Sequence, residues 1–160
     1  LKEYRASNPL IVGLWTRLQA AAEACHGGDY VLPFPCTQSN PALARYLIYH
    51  DVRVTKPKGT DYTKIECTVA GERCHIYGGL IAQNWTYGTA RDILASAWLR
   101  CDAAGYTPVL SVHDELVFEL QEEGAGDDLD AIVTIMETPL PWAPGLPLRV
   151  DGKLCDVYGK

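Results

Sequence analysis

The chain has 160 residues, of which 48% are hydrophobic and 21% are charged. This balance is typical of one soluble globular domain and excludes a disordered tail or a fibre. A chain of this length buries about two-thirds of its unfolded surface, so it needs no metal or disulfide for stability. Its apolar runs are far shorter than the roughly 18 residues of a membrane span, and no signal segment opens the chain, so we expect no membrane location.

The charge distribution and the cysteines indicate the kind of surface and the cellular compartment of the protein. The formal net charge is −6, and the segment 101–148 contains ten Asp and Glu residues but no Lys or Arg. Such a run is usually a solvated face. The six cysteines contain no C-x-x-C pair, and two of them lie on the apolar stripes of predicted helices, which indicates free thiols in a reducing compartment. We therefore expect a cytoplasmic protein.

The first half of the chain carries helix signals and then strand signals. Asn8 and Pro9 form a helix start, and apolar residues at helical spacing predict a helix over 9–26. Residues 29–41 contain three prolines and are predicted to form a loop. Residues 43–55 and 62–69 are rich in β-branched and aromatic side chains, which predicts a β-hairpin with a long turn.

The strongest helical signal covers residues 82–104 and ends at Gly105. Its two faces differ in kind. One face is an apolar stripe of Ile81, Trp85, Ile93, Leu94, Ala97, Trp98, Cys101 and Ala104. The other carries Asn84, Tyr87, Gly88 and Arg91 at positions i, i+3, i+4 and i+7. Polar side chains thus surround a glycine that permits close approach of another group.

The last third predicts a hairpin, a helix and a closing strand. Apolar strands at 108–112 and 115–120 are joined by His113 and Asp114, which places a carboxylate at the hairpin tip. Residues 127–137 predict a short helix, 138–147 a Pro-rich loop and 148–150 a strand. The predicted fold is α+β: an antiparallel sheet that includes this hairpin, backed by the two long helices near 9–26 and 82–104.

Asp114 and Glu115 are the candidate metal-binding and catalytic residues. These adjacent carboxylates repel each other, and their segment offers no Lys or Arg to neutralise them. A hard divalent cation relieves that repulsion, and Mg²⁺ binds through one or two carboxylates while leaving positions for substrate phosphates. From these residues alone, two interpretations stay open: a Mg²⁺ platform for phosphoryl transfer, or an ordinary Asp-containing turn.

Four runs follow one another in the second half of the chain: YGGLIAQN at 77–84, ARDIL at 90–94, AGY at 104–106 and VHDE at 112–115. Together they resemble the palm of family A DNA polymerases, above all phage and prophage members. The resemblance implies that Asp114 binds the catalytic Mg²⁺, that Glu115 is an accessory carboxylate and metal ligand, and that His113 lies near the primer terminus. It also implies nucleic-acid contacts from Gln83, Asn84, Tyr87, Arg91 and, on an upstream strand, Arg45.

The resemblance covers most of the chain and implies its place in a larger protein. Residues 1–160 would be a single domain, the C-terminal palm portion of a phage- or prophage-encoded polymerase in the bacterial cytoplasm. Its partners would be primer-template DNA, a deoxynucleoside triphosphate and the rest of the polymerase chain. An Asp outside this sequence would complete the two-metal site, so the isolated fragment is expected to be inactive. Tyr87 stands where the family usually has Gln, and Ala44 where it has Gly.

Two other functions stay open. One is a noncatalytic module that keeps a palm-like fold and binds nucleic acid or protein. The other is a metal-dependent nuclease that pairs Asp61 with Asp114. Asp61 begins the run DYTKIE, which looks like the family's first motif but lies in the wrong order, so we interpret it as part of an exposed hairpin. The surrounding stretch 45–73 has six Lys and Arg against four acids, which fits either a phosphate-contacting patch or a solvated hairpin.

Overall fold

The computed structural model describes residues 2–39 and 44–159. The elements are α1 (Lys2–Ser7), α2 (Pro9–Ala24), β1 (Tyr30–Pro33), α3 (Pro35–Ser39), β2 (Tyr46–Thr55), β3 (Lys64–Val69), β4 (Glu72–Ile76), α4 (Gly78–Ala103), β5 (Leu110–Val112), β6 (Glu115–Val117) and α5 (Ala125–Met136). The chain divides into two compact units, Leu1–Thr89 and Ala90–Lys160. The α+β class is confirmed, and the single domain expected over 1–160 stays a prediction. None of the helices in the described residues is long and apolar enough to cross a membrane.

The first unit is built on a four-stranded antiparallel sheet in the order β1-β2-β3-β4. One face of the sheet, hereafter the closed face, buries Val52, Ile65, Cys67 and Ile76. These side chains share one apolar core with Leu18 and Ala22 of α2 and with Ile81 and Ala82 of α4. Because burying one such aliphatic side chain contributes roughly 1.5–3 kcal/mol, this core is the main source of stability in the unit.

A β-bulge interrupts β2 at Asp51. The pairing shifts between His50 and Arg53, and Asp51 adopts a positive φ of 47°. The preceding loop holds the bulge in place: the backbones of Gly27 and Gly28 exchange two hydrogen bonds with Val52, each 2.8 Å long. The Asp29 carboxylate accepts the backbone N–H of Asp51 at 3.0 Å and contacts His50 Nδ1 at 2.8 Å.

The predictions for the first unit are correct in outline and incomplete in detail. The helix near 9–26 is confirmed as α2, and the hairpin is confirmed as β2 and β3. The prediction of a loop over 29–41 is wrong for residues 30–33 and 35–39, which form β1 and α3. Pro33 fits into β1 because it is the last residue of an edge strand. Residues 40–43, at the ends of the predicted loop and strand, lie outside the described residues.

The second unit contains the last part of α4, the β5–β6 hairpin and α5. The long helix predicted over 82–104 is confirmed as α4, which begins four residues earlier, at Gly78, and ends one residue earlier; Ala104 follows its end and is exposed. Residues 115–117 pair with 110–112 as a separate two-stranded sheet, so the prediction that one sheet includes the hairpin is wrong.

The closing strand predicted at 148–150 is also absent from the described residues. The backbone N–H of Val150 donates to the Glu137 side chain at 3.0 Å, so this donor is not used in a strand ladder. The helix predicted at 127–137 is confirmed as α5, which begins two residues earlier and ends one residue earlier. Arg100 donates to the carbonyl of Ile135 at 3.3 Å, close to the C-terminal end of α5, where free carbonyls favour a cation.

The Asp29 contacts predict a pH-dependent loss of stability in the variant Asp29→Asn. The hydrogen bonds from Asp51 and His50 lower the pKa of Asp29 below its ordinary value of 3.8. A depressed pKa contributes stability that is present above the unfolded value and is lost as the pH falls through the folded one. We therefore expect Asp29→Asn to melt at a lower temperature than the wild type near neutral pH, with the two curves converging below pH 3.8.

Thermal melts recorded by circular dichroism over this pH range provide the measurement. Asp61→Asn is the matched control, because the Asp61 carboxylate is exposed and its nearest cation, Lys56, is 3.8 Å away. A difference in melting temperature between Asp29→Asn and the wild type that is the same at every pH would contradict the assigned role of the Asp29 carboxylate.

Candidate functional site

The β5–β6 hairpin presents three predicted site residues at its tip. Val112 pairs with Glu115, and His113 and Asp114 form the two-residue loop between them. Only His113 of the two has a positive φ, 54°, which is the pattern of a type II′ turn, where glycine is preferred at this position. His113, Asp114 and Glu115 are all exposed. The fold therefore holds a strained, non-glycine residue beside the candidate metal ligands.

The two carboxylates at the tip have no cationic partner among the residues that the structure describes. Within residues 2–39 and 44–159, no Lys, Arg or His nitrogen lies within 4.0 Å of Asp114 or Glu115. Glu115 Oε2 instead accepts a hydrogen bond from the Tyr158 hydroxyl at 3.2 Å. Desolvation and this hydrogen bond together raise the pKa of Tyr158. Tyr158 was not foreseen from the sequence, because 43 residues separate it from Glu115.

The donor set at the tip fits a hard cation with few protein ligands. Two carboxylates supply oxygen atoms, which suit Mg²⁺ when water and substrate phosphates complete its coordination. Within the described part of the chain, no cluster of three or more His, Cys, Asp or Glu side chains is arranged to hold a metal. The hairpin thus fits an ion that needs only one or two side-chain ligands, and it does not fit a closed structural site.

The polar face predicted on α4 is only partly free to contact a ligand. Asn84 donates to the hydroxyl of Tyr49 at 2.9 Å, and Tyr49 is buried in the sheet. Gln83 donates to the hydroxyl of Tyr87 at 3.0 Å. Tyr87 is 65% exposed. Arg91 is exposed in the second unit. Of the residues predicted to contact nucleic acid from α4, Asn84 therefore packs inward, whereas Gln83, Tyr87 and Arg91 are exposed.

Gly88 approaches an aromatic ring of its own unit. A Cβ at this position would lie 2.2 Å from Cε1 of Phe34, which is buried. The guanidinium of Arg45 lies 5.1 Å from the centroid of the same ring, within the range of a cation–π contact. The close approach that the sequence indicated is thus explained by internal packing, and Phe34 is the residue that sequence spacing did not reveal.

The structure brings the predicted residues together in two groups. Arg45 and Gly88 meet at Phe34, and Asn84 lies one helical turn before Gly88, all in the first unit. His113, Asp114 and Glu115 lie together in the second unit. Asp61, the alternative metal ligand, is exposed in the first unit near Lys56. Asp92, which no motif singled out as a site residue, is 6% exposed within α4.

Comparison with known proteins identifies a phage relative. The chain is 34% identical over 176 aligned positions to the DNA polymerase of Bacillus phage SP02, and the match covers the whole chain. The chain spans 27% of the length of that protein. No family model matches the chain, and no solved structure matches it. The sequence is therefore related to part of a phage DNA polymerase.

The positive φ of His113 predicts an inverted order of stability for two variants. Alanine is normally more stable than glycine at a given position, but a left-handed conformation penalises any residue that has a Cβ. We expect His113→Gly to be more stable than His113→Ala by about 0.5–1 kcal/mol in urea unfolding. The same pair of substitutions at Asp114, whose φ is not positive, is the control and should show the normal order. An alanine variant at position 113 that equals or exceeds the glycine variant would contradict the turn geometry.

The packing of Gly88 on Phe34 predicts that Gly88→Ala destabilises the protein by about 1–3 kcal/mol, because a methyl group would overlap a buried ring. Gly13→Ala is the matched control in α2, where the nearest atom to the new Cβ is the flexible Arg17 Nη1 at 3.5 Å. There the better helix propensity of alanine should stabilise the protein by up to about 1 kcal/mol. Urea unfolding measures both changes, and equal stability of the two variants would contradict the close contact.

Proposed function

We propose that the chain is the C-terminal palm portion of a family A DNA polymerase, which transfers nucleotides to a primer 3′-hydroxyl. The observation that carries this proposal is the exposed Asp114–Glu115 pair, which has no cationic partner among the described residues. The whole-chain similarity to a phage DNA polymerase supports the same reaction class. A structural ion pair would instead have placed Lys or Arg beside these carboxylates.

Each residue at the tip has a role in the proposal. Asp114 holds Mg²⁺, and Glu115 is the accessory carboxylate, oriented by the Tyr158 hydroxyl. Bound there, Mg²⁺ would stabilise the negative charge that develops on the transferred phosphoryl group. His113 lies at the loop position next to Asp114 and is proposed to face the primer terminus. Its strained backbone is consistent with a position kept for function at some cost in stability.

The proposed partners are primer-template DNA, a deoxynucleoside triphosphate and the remaining segments of the polymerase. Along α4, the exposed Gln83, Tyr87 and Arg91 are proposed to contact the DNA. Asn84 has a different role in this proposal: its hydrogen bond to Tyr49 fixes the helix on the sheet, so it would position its neighbours. Arg45, which lies over Phe34, supports the same helix through Gly88.

A second candidate function is a noncatalytic module that binds nucleic acid or protein. The inward hydrogen bond of Asn84 favours it, because this residue was expected to contact the DNA of a polymerase. The two functions differ in their need for a metal. Only the polymerase requires a divalent ion at the hairpin tip.

A titration with Mn²⁺, followed by NMR of the ¹⁵N-labelled chain, tests the metal site. Paramagnetic broadening should concentrate at His113, Asp114 and Glu115 and should disappear in Asp114→Asn. Glu122→Gln is the matched control, since Glu122 is an exposed acid of the same acidic segment, and it should leave the broadening unchanged. Broadening spread evenly over the acidic segment would contradict a specific site and would favour the noncatalytic module.

Primer extension by the complete polymerase that contains this chain tests the catalytic role. Asp114→Asn should lower the extension rate at least about a hundredfold, because several kcal/mol of metal-assisted charge stabilisation are lost. Glu122→Gln should extend primers like the wild type. The 160-residue chain alone is expected to give no extension. Normal extension by Asp114→Asn would refute the assignment of Asp114.

A further inference from the structure

The face of the four-stranded sheet opposite the closed face, hereafter the open face, carries polar and aromatic side chains. Arg53, Glu66 and His75 form one cross-strand row in register on β2, β3 and β4. The row alternates with the buried Val52, Ile65, Cys67 and Ile76 of the closed face. Thr55 pairs with Lys64, and Thr68 with Arg73, on either side of this row. The open face thus combines hydrogen-bonding groups and three permanent cations.

Three rings lie side by side at the β4 edge of the open face. The Tyr62 and His75 ring centroids are 6.2 Å apart, and those of His75 and Tyr77 are 6.0 Å apart. The Tyr62 hydroxyl is hydrogen-bonded to His75 Nε2, which fixes the first two rings relative to each other. Tyr62 is 52% exposed and Tyr77 is 51% exposed. What distinguishes these two rings from the other exposed tyrosines is that both lie against His75, so their exposed faces form one aromatic patch on which flat groups can stack.

Two cations on β3 and β4 are paired with acidic neighbours. Arg73 donates to the Asp51 carboxylate at 3.1 Å and also to the Asp51 carbonyl at 2.7 Å and the Thr68 hydroxyl at 3.0 Å. Lys64 Nζ lies 2.8 Å from Glu66. Because these side chains are already ordered, a ligand that contacts them loses less conformational entropy on binding. Rigid cations next to exposed rings suit a ligand that has both flat apolar rings and negative charge.

The distribution of charge along the chain favours a negatively charged ligand for the open face. Residues 1–89 contain nine Lys and Arg against seven Asp and Glu, whereas residues 90–160 contain five against thirteen. A polyanion is therefore attracted to the first unit and repelled by the second. Unpaired bases stack on aromatic side chains while nearby cations contact their phosphates, and a duplex does not offer its base faces in this way.

We propose that the open face binds single-stranded nucleic acid, with bases stacked on Tyr62 and Tyr77 and phosphates near Lys64 and Arg73. This surface belongs to the first unit, whereas the hairpin tip belongs to the second, and the proposal relies on the proposed function only for the class of ligand. In a template-directed polymerase, a single strand of this kind is supplied by the unpaired template. A protein partner for the same surface is the competing outcome.

Fluorescence anisotropy with a labelled oligothymidylate of about 12 nucleotides measures binding by the 160-residue chain. The buffer contains EDTA, so the result does not depend on a metal at the hairpin. The double variant Tyr62→Ala/Tyr77→Ala should raise the Kd at least about tenfold, since each stacked base contributes substantially to affinity. The double variant Tyr62→Phe/Tyr77→Phe keeps both rings and should bind within about twofold of the wild type.

Two controls separate the possible explanations. Tyr4→Ala removes an exposed ring of the same unit that lies outside the open face, and it should bind like the wild type. Glu122→Gln should also bind normally, and because the buffer contains EDTA, failure of the metal site and failure of this proposal give different results. Absence of oligonucleotide binding by the wild type, equal binding by the alanine double variant, or equal affinity for a duplex of the same length would each overturn the proposal.

Discussion

Val52, Ile65 and Cys67 are completely removed from solvent in the core shared by the sheet and helices α2 and α4, and the geometry of the first unit follows from that burial. The helices must approach closely to cover the closed face. Gly78 permits this, because a Cβ there would lie 2.0 Å from the carbonyl oxygen of Trp15 in α2. With α4 fixed on one side, the charged and aromatic side chains of β2, β3 and β4 are left on the open face.

The hairpin in the second unit is characterised by exposed polar residues and not by a buried apolar core. Its tip combines a strained His113 with two carboxylates that no cation neutralises among the described residues. The left-handed backbone of His113 costs stability, and the two carboxylates leave oxygen atoms free to bind a divalent ion. The open face shows the opposite arrangement, since its cations are already paired with Asp51 and Glu66. One surface is thus suited to capture a metal ion and the other to hold an extended ligand.

Local sequence signals predicted helices and turns correctly where the tertiary contacts favoured the same structure. Asn8 and Pro9 marked the start of α2, and the dipeptide of His113 and Asp114 marked the turn between β5 and β6. Long-range contacts decided the rest. β1 forms because Tyr30 pairs with Tyr49 across 19 residues, despite nearby prolines, and no helical spacing shows that Asn84 binds Tyr49. The strand predicted at 148–150 failed because Glu137 takes the Val150 N–H.

The position of a bound divalent ion decides whether Asp114 is a metal ligand. Crystals of the chain soaked in Mn²⁺ would show the ion by its anomalous scattering. The account predicts a peak at about 2.1 Å from a carboxylate oxygen of Asp114, a distance typical of a hexacoordinate divalent ion, and no such peak in Asp114→Asn. A peak confined to other acids of the second unit, such as Glu122 and Glu123, with none at Asp114 would contradict it.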